Sequence, residues 1–546
     1  MTLVALEHIQ DQSLKARVCI IGAGAAGIAL ACELDGAPFS VLLIEAGGLH
    51  ATGLEAQQYS GDATPPHPDP VQFRRIAFGG TTALWGGRCV ALDPLDLQSR
   101  PHVANSGWPI GYEDLARHYP RAMSYCDAGD YDFTLGGSLQ RPQPTISGFD
   151  GDGVVVVDRI ERYSLPTDFG KRYRRKISES RNVSAILGAR CSKLIKQPGD
   201  DRIASAEVID AAGRKLQVQA EIFVLATGGI EVPRLLMLSD PQGSGLGNRS
   251  DCLGRYYQCH FENTAGRLVP HEARVAFYFE RTTDGVYCRR QLRFSPETLA
   301  QHRLLNMAFR LHFPSYGDAG HGSAVMSAIY LAKSLLVPEY RAILQHNADT
   351  VPSPALPHVR NVLGDLPGLA RFAGDWLFRI RLAERKLPYT LVPNADGSFP
   401  LEFNSEQTPV ASNRVLLAPE LDSHGLRRVR IEWRLSEQDA DSAYRGFVLL
   451  RDTMNRHGSC KVEFDDNVLR DRLRRSPPLG GHHIGTARMA AAARGGVVDS
   501  NCAVFDLPNL FIASSAVFPT SGNANPTLTI VAMAVRLAAH LRDAER

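Results

Sequence analysis

ARVCIIGAGAAGIALACELDGAPFSVLLIE, residues 16–45, is an apolar strand pattern, a glycine turn, a small-residue helix and a second apolar strand ending in an acid. Gly22, Gly24 and Gly27 form G-x-G-x-x-G directly after Val18-Cys19-Ile20-Ile21, and Glu45 lies eighteen positions beyond Gly27. The first glycine permits the tight turn, the second lets backbone N–H groups approach a pyrophosphate, and the third lets the helix pack closely on the strand. Ala25 and Ala26 open that helix, whose N-terminal end carries partial positive charge and free N–H groups suited to phosphate. Glu45, followed by Ala46, can accept hydrogen bonds from both hydroxyls of an adenosine ribose and repels a 2′-phosphate. The glycines alone fit any glycine-rich strand-to-helix turn; strand, helix, strand and acid together predict a dinucleotide site, without separating NAD from FAD.

A chain of 546 residues is too long for one ordinary core and predicts two or more structural domains. With 60 basic and 58 acidic residues its formal charge is +2, which offers no electrostatic reason for nucleic acid, so small-molecule partners are expected. The first seventeen residues lack a basic region followed by an apolar run and a cleavage site, and no apolar run is long enough to span a bilayer; a cytoplasmic location is the expectation. The ten cysteines are scattered with no C-x-x-C pair, so no metal site and no disulfide framework is expected.

Residues 47–70, polar and proline-rich, read as a surface loop. Arg75-Ile76-Ala77-Phe78-Gly79-Gly80-Thr81-Thr82-Ala83-Leu84-Trp85-Gly86-Gly87 then sets two glycine pairs around hydroxyls and an aromatic, the make-up of a backbone passing under a flat ligand, or of a glycine-rich turn with a core tryptophan. Val183–Leu187 and Glu221–Ala226 read as buried strands, the second running into a glycine turn and a helix at Thr227–Leu236. From about 263 to 477, alternating runs such as Arg274–Phe279 and Arg428–Trp433 predict antiparallel strands interrupted by helices. Leu369, Phe372, Ala373, Trp376, Leu377 and Ile380 fall at helical spacing, with Arg371, Arg379, Arg381, Arg385 and Lys386 among and after them. That helix either covers the second domain or touches a membrane or electron-accepting partner.

The C-terminal segment holds Gly480-Gly481-His482-His483-Ile484-Gly485-Thr486-Ala487-Arg488-Met489 and, later, Ser514-Ser515-Ala516-Val517-Phe518-Pro519-Thr520 through Asn525-Pro526-Thr527. Asn525-Pro526-Thr527 is a helix start, with asparagine able to cap and proline in the first turn, and the helix end is an anion site. A histidine such as His482 suits removal of an alcohol proton near neutral pH, or is a structural histidine.

These segments resemble the glucose-methanol-choline (GMC) flavin oxidoreductases. The resemblance is carried by Arg75–Gly87 with Ser106–Ile110, the Thr227–Leu236 turn, Leu253–His260, H-x-x-G-T-x-R-M at His482, and N-P-T at Asn525, the last closest to pyranose-oxidase-like members. It implies FAD held by Gly22, Gly24, Ala25, Ala26, Gly27, Glu45, Ala46, Arg75, Gly79, Gly80, Thr81, Thr82, Leu84, Trp85, Ser514, Ser515, Asn525, Pro526 and Thr527. Leu84 stands where some members carry a histidine bonded to flavin, so a noncovalent cofactor is implied. Ser514 stands where many members have aspartate, so a contact near the FAD pyrophosphate or ribityl differs. His482 is then the catalytic base and Asn525 its partner, with His483 and Trp85 lining the substrate pocket and His260 a structural hydrogen-bonding residue.

The expected architecture is α/β with α+β: a Rossmann-like FAD-binding domain of residues 14–135, 180–262 and 478–546, and a substrate domain of residues 136–179 and 263–477 on an antiparallel sheet with helices. The expected reaction is oxidation of an alcohol, most often of a sugar, glycoside or polyol, with hydride passing to flavin and then to oxygen, a quinone or a redox protein. A redox-neutral flavoprotein lyase, a noncatalytic FAD-binding protein and an NAD-dependent dehydrogenase are the alternatives.

Overall fold

The computed structural model describes residues 3–53, 57–197, 199–332 and 353–543. Ser13–Ile21 and Val41–Ile44 pair in parallel, and Val18, Ile20, Leu43 and Ile44 are buried, as central strands covered on both faces must be. Around them a nine-stranded sheet runs Leu3–Ala5, Val183–Leu187, Val41–Ile44, Ser13–Ile21, Lys215–Leu225, Leu507–Ile512, Ala503–Val504, with Arg190–Lys196 and Ile203–Ile209 branching from Lys215–Leu225. The five pairings from Leu3–Ala5 to Leu507–Ile512 are parallel. Register sets Ile21 beside Ile44 and Leu225, and Leu225 beside Ile512. The turns that follow therefore open along one carboxyl edge of the sheet, where parallel sheets bind ligands. Helices Ala25–Leu34 and Pro526–Asp543 pack on each other within the same core.

Glycine geometry explains that first turn. Gly22 has φ of +105°, and a Cβ on Gly27 would lie 1.9 Å from the Gly22 carbonyl oxygen, whereas one on Gly24 would meet nothing within 4 Å. Two glycines close the turn and the third leaves room above it.

The second sheet is antiparallel and eight-stranded: Cys460–Glu463, Phe261–Pro270, Phe399–Ser405, Met307–Leu311, Tyr287–Phe294, Val155–Tyr163, Arg88–Cys89, with Glu280–Arg281 on Tyr287–Phe294. Helix Glu437–His457 packs Phe447, Leu450 and Met454 into its separate core. The fold is thus mixed α/β with an antiparallel sheet and helices, as expected.

Two local expectations are corrected. Arg274–Phe279 is not a strand; Val275 makes only an isolated bridge with Ile146, because the loop at Thr145–Ser147 takes its backbone hydrogen bonds. Residues 47–70 are more than a surface loop: Gly61–Ala63 pairs in parallel with Arg427–Glu432, and Tyr59 and His67 are buried. Gly61 allows that pairing, since a Cβ there would lie 2.3 Å from the Val429 carbonyl oxygen.

Gly27→Ala is expected to destabilise the fold by roughly 1–3 kcal/mol, the usual cost of overpacking, while Gly24→Ala stays within about 0.5 kcal/mol of wild type. Thermal unfolding of the two variants checks this contrast.

Candidate active site

A cavity of about 810 Å³ follows the carboxyl edge of the nine-stranded sheet and opens against the antiparallel one. Gly22, Gly24, Ala25, Ala26, Glu45, Ala46, Arg75, Gly80, Thr81, Thr82, Leu84, Trp85, Ser514, Ser515, Asn525, Pro526 and Thr527 all line it, as do His482 and His483. Gly27 and Gly79 do not. Gly27 packs on Gly22, and a Cβ on Gly79 would meet the Gly170 nitrogen at 2.5 Å, so both glycines serve backbone packing behind the wall.

The wall is stitched across the chain. Glu45 accepts hydrogen bonds from Ala23 N (2.8 Å) through Oε2 and from Gly47 N (2.9 Å) through Oε1. Gly79 N donates to Ala23 O at 2.8 Å, which ties the second glycine segment to the first turn. Gly24 borders open space, and the Thr227 hydroxyl is buried on the same wall with no hydrogen-bond partner. Open backbone and an orphaned donor fit a phosphate-bearing dinucleotide.

The histidine segment reaches this wall because another glycine lets it approach. A Cβ on Gly229 would lie 2.1 Å from the His483 carbonyl oxygen. Thr486 Oγ1 donates to Gly229 O (2.6 Å) and Ser515 Oγ to His483 O (2.6 Å), while Ile484 and Gln258 exchange backbone hydrogen bonds of 3.0 and 2.9 Å.

His482 Nδ1 lies 2.7 Å from His260 Nδ1, and His260 Nε2 lies 2.9 Å from Gly522 O. A carbonyl only accepts, so His260 carries its proton on Nε2, and burial lowers its pKa to about 4. The bare His260 Nδ1 accepts from His482 Nδ1–H, which leaves His482 Nε2 with a lone pair beside Asn525 Nδ2 at 3.1 Å. Burial, then the proximity of His260, Arg88 and His483, holds the His482 pKa well below its ordinary value. The imidazole is therefore a neutral base at neutral pH. Asn525 does not cap its helix, contrary to the expectation: its amide turns to His482 and its Oδ1 has no partner.

His483 belongs to a different network. Tyr257 OH lies 2.7 Å from His483 Nδ1, 2.9 Å from His67 Nε2 and 3.1 Å from Cys259 Sγ. His67, Cys259 and His483 are the one grouping with metal-ligand spacing among the described residues, and the tyrosine hydroxyl occupies its centre. The cysteines are all free, and nine are buried.

Opposite the histidines stands a group that sequence reasoning missed. Glu402 Oε2 lies 2.7 Å from Arg310 Nε and 3.3 Å from Arg289 Nη1, and Arg88 lies 3.4 Å from Glu262, 3.6 Å from Glu161 and 3.8 Å from Glu402. Arg88, Tyr163, Glu262, His312, Tyr389 and Glu402 line the cavity. Burial favours protonated carboxyls here, yet the arginines hold Glu402 well below its ordinary pKa, while burial and Glu402 raise that of Glu262. Except for His312 and Tyr389, which lie in loops, these residues sit on paired strands 88–89, 155–163, 261–270, 287–294, 307–311 and 399–405, and their convergence is visible only in the sheet.

A dinucleotide-type wall joined to a neutral histidine fits an oxidoreductase acting on CH–OH donors. Residues 409–534 match the family model described as GMC oxidoreductase. The chain is similar to a 2-methyl-1,2-propanediol dehydrogenase of Mycolicibacterium austroafricanum, with 23% identity covering 95% of this chain and 94% of the relative. It is also similar to the fructose dehydrogenase large subunit of Gluconobacter japonicus, with 22% identity covering 97% and 98%. Among solved structures, a pyridoxine 4-oxidase crystal structure shares the fold, with a TM-score of 0.52, 17% identity, and coverage of 96% of this chain and 98% of that one.

Because burial depresses the His482 pKa, its base form persists on acidification. The acid limb of log kcat/KM against pH is expected to break below about 6.5, the free histidine value; a break at or above that value contradicts a neutral buried base.

Proposed function

We propose that this protein is an FAD-dependent alcohol oxidoreductase that oxidises a CH–OH group of a sugar, glycoside or other polyol to a carbonyl. The observation that carries the reading is His482 Nε2, bare and neutral, beside Asn525 Nδ2 at 3.1 Å on the cavity that begins at the glycine turn. When bound, FAD accepts the hydride. His482 Nε2 takes the hydroxyl proton, and Asn525 Nδ2 donates a hydrogen bond to the substrate oxygen and aligns the carbon. His260 acts as a positioning residue: its bare Nδ1 keeps the His482 proton on the far nitrogen.

The polyol class is supported by the wall of paired Arg88, Glu262 and Glu402, whose donors and acceptors suit several hydroxyls at once, and by relatives named for a diol and for fructose. Leu84 in place of a histidine supports noncovalent FAD. Residues 14–135, 180–262 and 478–546 are assigned to FAD, and residues 136–179 and 263–477 to substrate.

Anaerobic addition of sugars, polyols, diols, choline and aryl alcohols to the yellow protein tests the class. Bleaching by a polyhydroxy compound is expected; bleaching by choline or aryl alcohols alone, or by no alcohol, overturns it. Acid precipitation is expected to release the flavin into the supernatant. His482→Ala is expected to slow flavin reduction by roughly 10² or more while FAD stays bound. His260→Leu, which removes the acceptor, is expected to slow reduction by about tenfold or more, and His260→Asn, whose Oδ1 can still accept, to recover most of the rate. Equal loss in both variants contradicts the tautomer role.

A further inference from the structure

Helices Ala355–Gly364 and Leu366–Asp375 and the π-helical turn Trp376–Arg381 present large apolar side chains to solvent. On the inner side, His358 is fully buried with its Nδ1 3.0 Å from Ser327 Oγ, and Asn361 Nδ2 donates to Ala319 O (2.8 Å) and to Ser327 Oγ (3.2 Å). On the outer side, Leu356, Val359 and Leu363, spaced as one helical stripe, are 72%, 39% and 66% exposed. Leu366, Trp376, Leu377, Phe378 and Leu382 extend the apolar surface. Eight of the twelve exposed large hydrophobic side chains among the described residues fall within residues 356–382, so the exposure is one concentrated feature and not ordinary surface scatter.

The segment also holds Arg360, Arg371, Arg379 and Arg381, all exposed, against Asp365 and Asp375, and Asp365 is engaged in capping the second helix through Gly368 N. Exposed leucines, phenylalanine and tryptophan with surplus arginines match the boundary of an anionic bilayer, where acyl chains take the apolar groups and lipid phosphates the guanidinia. No helix among the described residues is long and apolar enough to cross a membrane, so the fitting mode is lying on its surface. Tyr316 before the segment and Tyr389 after it both line the cavity, and Arg385 Nη1 ties its end back to Asp127 O at 2.9 Å.

We propose that residues 355–382 dock this protein on the surface of an anionic lipid bilayer, with the leucines and Phe378 at the acyl boundary and the arginines against lipid phosphates. This is independent of which alcohol is oxidised.

Sedimentation of the full-length yellow protein with phosphatidylcholine vesicles, with and without phosphatidylglycerol, tests it. Wild type is expected to pellet with the phosphatidylglycerol vesicles, and less as salt is raised. Leu363→Ser/Phe378→Ser is expected to lower the vesicle-bound fraction by about tenfold, with flavin absorbance and activity on a soluble substrate unchanged. Arg379→Glu/Arg381→Glu, also at exposed positions, is expected to abolish the preference for phosphatidylglycerol. Wild type that stays in the supernatant, or variants that pellet undiminished, overturn the proposal. So does a concentration-dependent dimer that these substitutions dissociate, which assigns the face to a second copy of the chain.

Discussion

A missing Cβ at Gly229 is the constraint on which the active site depends. Any side chain there would press into the His483 carbonyl, 2.1 Å from the Cβ position, and lift the segment that carries His482. With glycine, the turn after Lys215–Leu225 and the segment around His482 touch backbone to backbone, and Thr486 and Ser515 lock the contact through 2.6 Å hydrogen bonds. Close backbone approach of this kind is what glycine permits and other residues forbid.

The approach brings together residues far apart in the chain. Gly522 O, His260, His482 and Asn525 form a line of hydrogen bonds whose directions follow from one end, since the carbonyl can only accept. Burial keeps both imidazoles neutral, so the His482 Nε2 that meets Asn525 Nδ2 carries a lone pair and not a proton. A solvated histidine would populate both tautomers and a cation; the buried one is held neutral in a single tautomer.

The cavity's other face solves a different problem. Three arginines and three glutamates are clustered, four of them buried and Arg88 and Glu262 half-buried, which costs desolvation energy unless each charge is paired and hydrogen-bonded. Here each arginine meets more than one carboxylate or hydroxyl, and the set leaves polar atoms of Arg88, Glu262 and Glu402 on the wall. Polar atoms held on a cavity wall in this way offer both donors and acceptors to whatever polar group enters from water.

The amino-acid sequence alone determined the dinucleotide turn, since glycine spacing, the apolar strands and Glu45 act over thirty consecutive residues, where local sterics decide the backbone. It also marked His482 and Asn525 through short motifs. It set Gly27 and Gly79 on the wall, where they pack behind it, and offered Asn525 as a cap, because close backbone approach and the way a side chain turns are set by neighbours far away in the chain. Only the tertiary structure brought His260 against His482 and gathered Arg88, Glu262 and Glu402 on one wall: His260 and Glu262 flank the first residue of one strand, but Arg88, Glu402 and His482 are far from it in the chain, and long-range strand pairing is what converts scattered charges into a cluster.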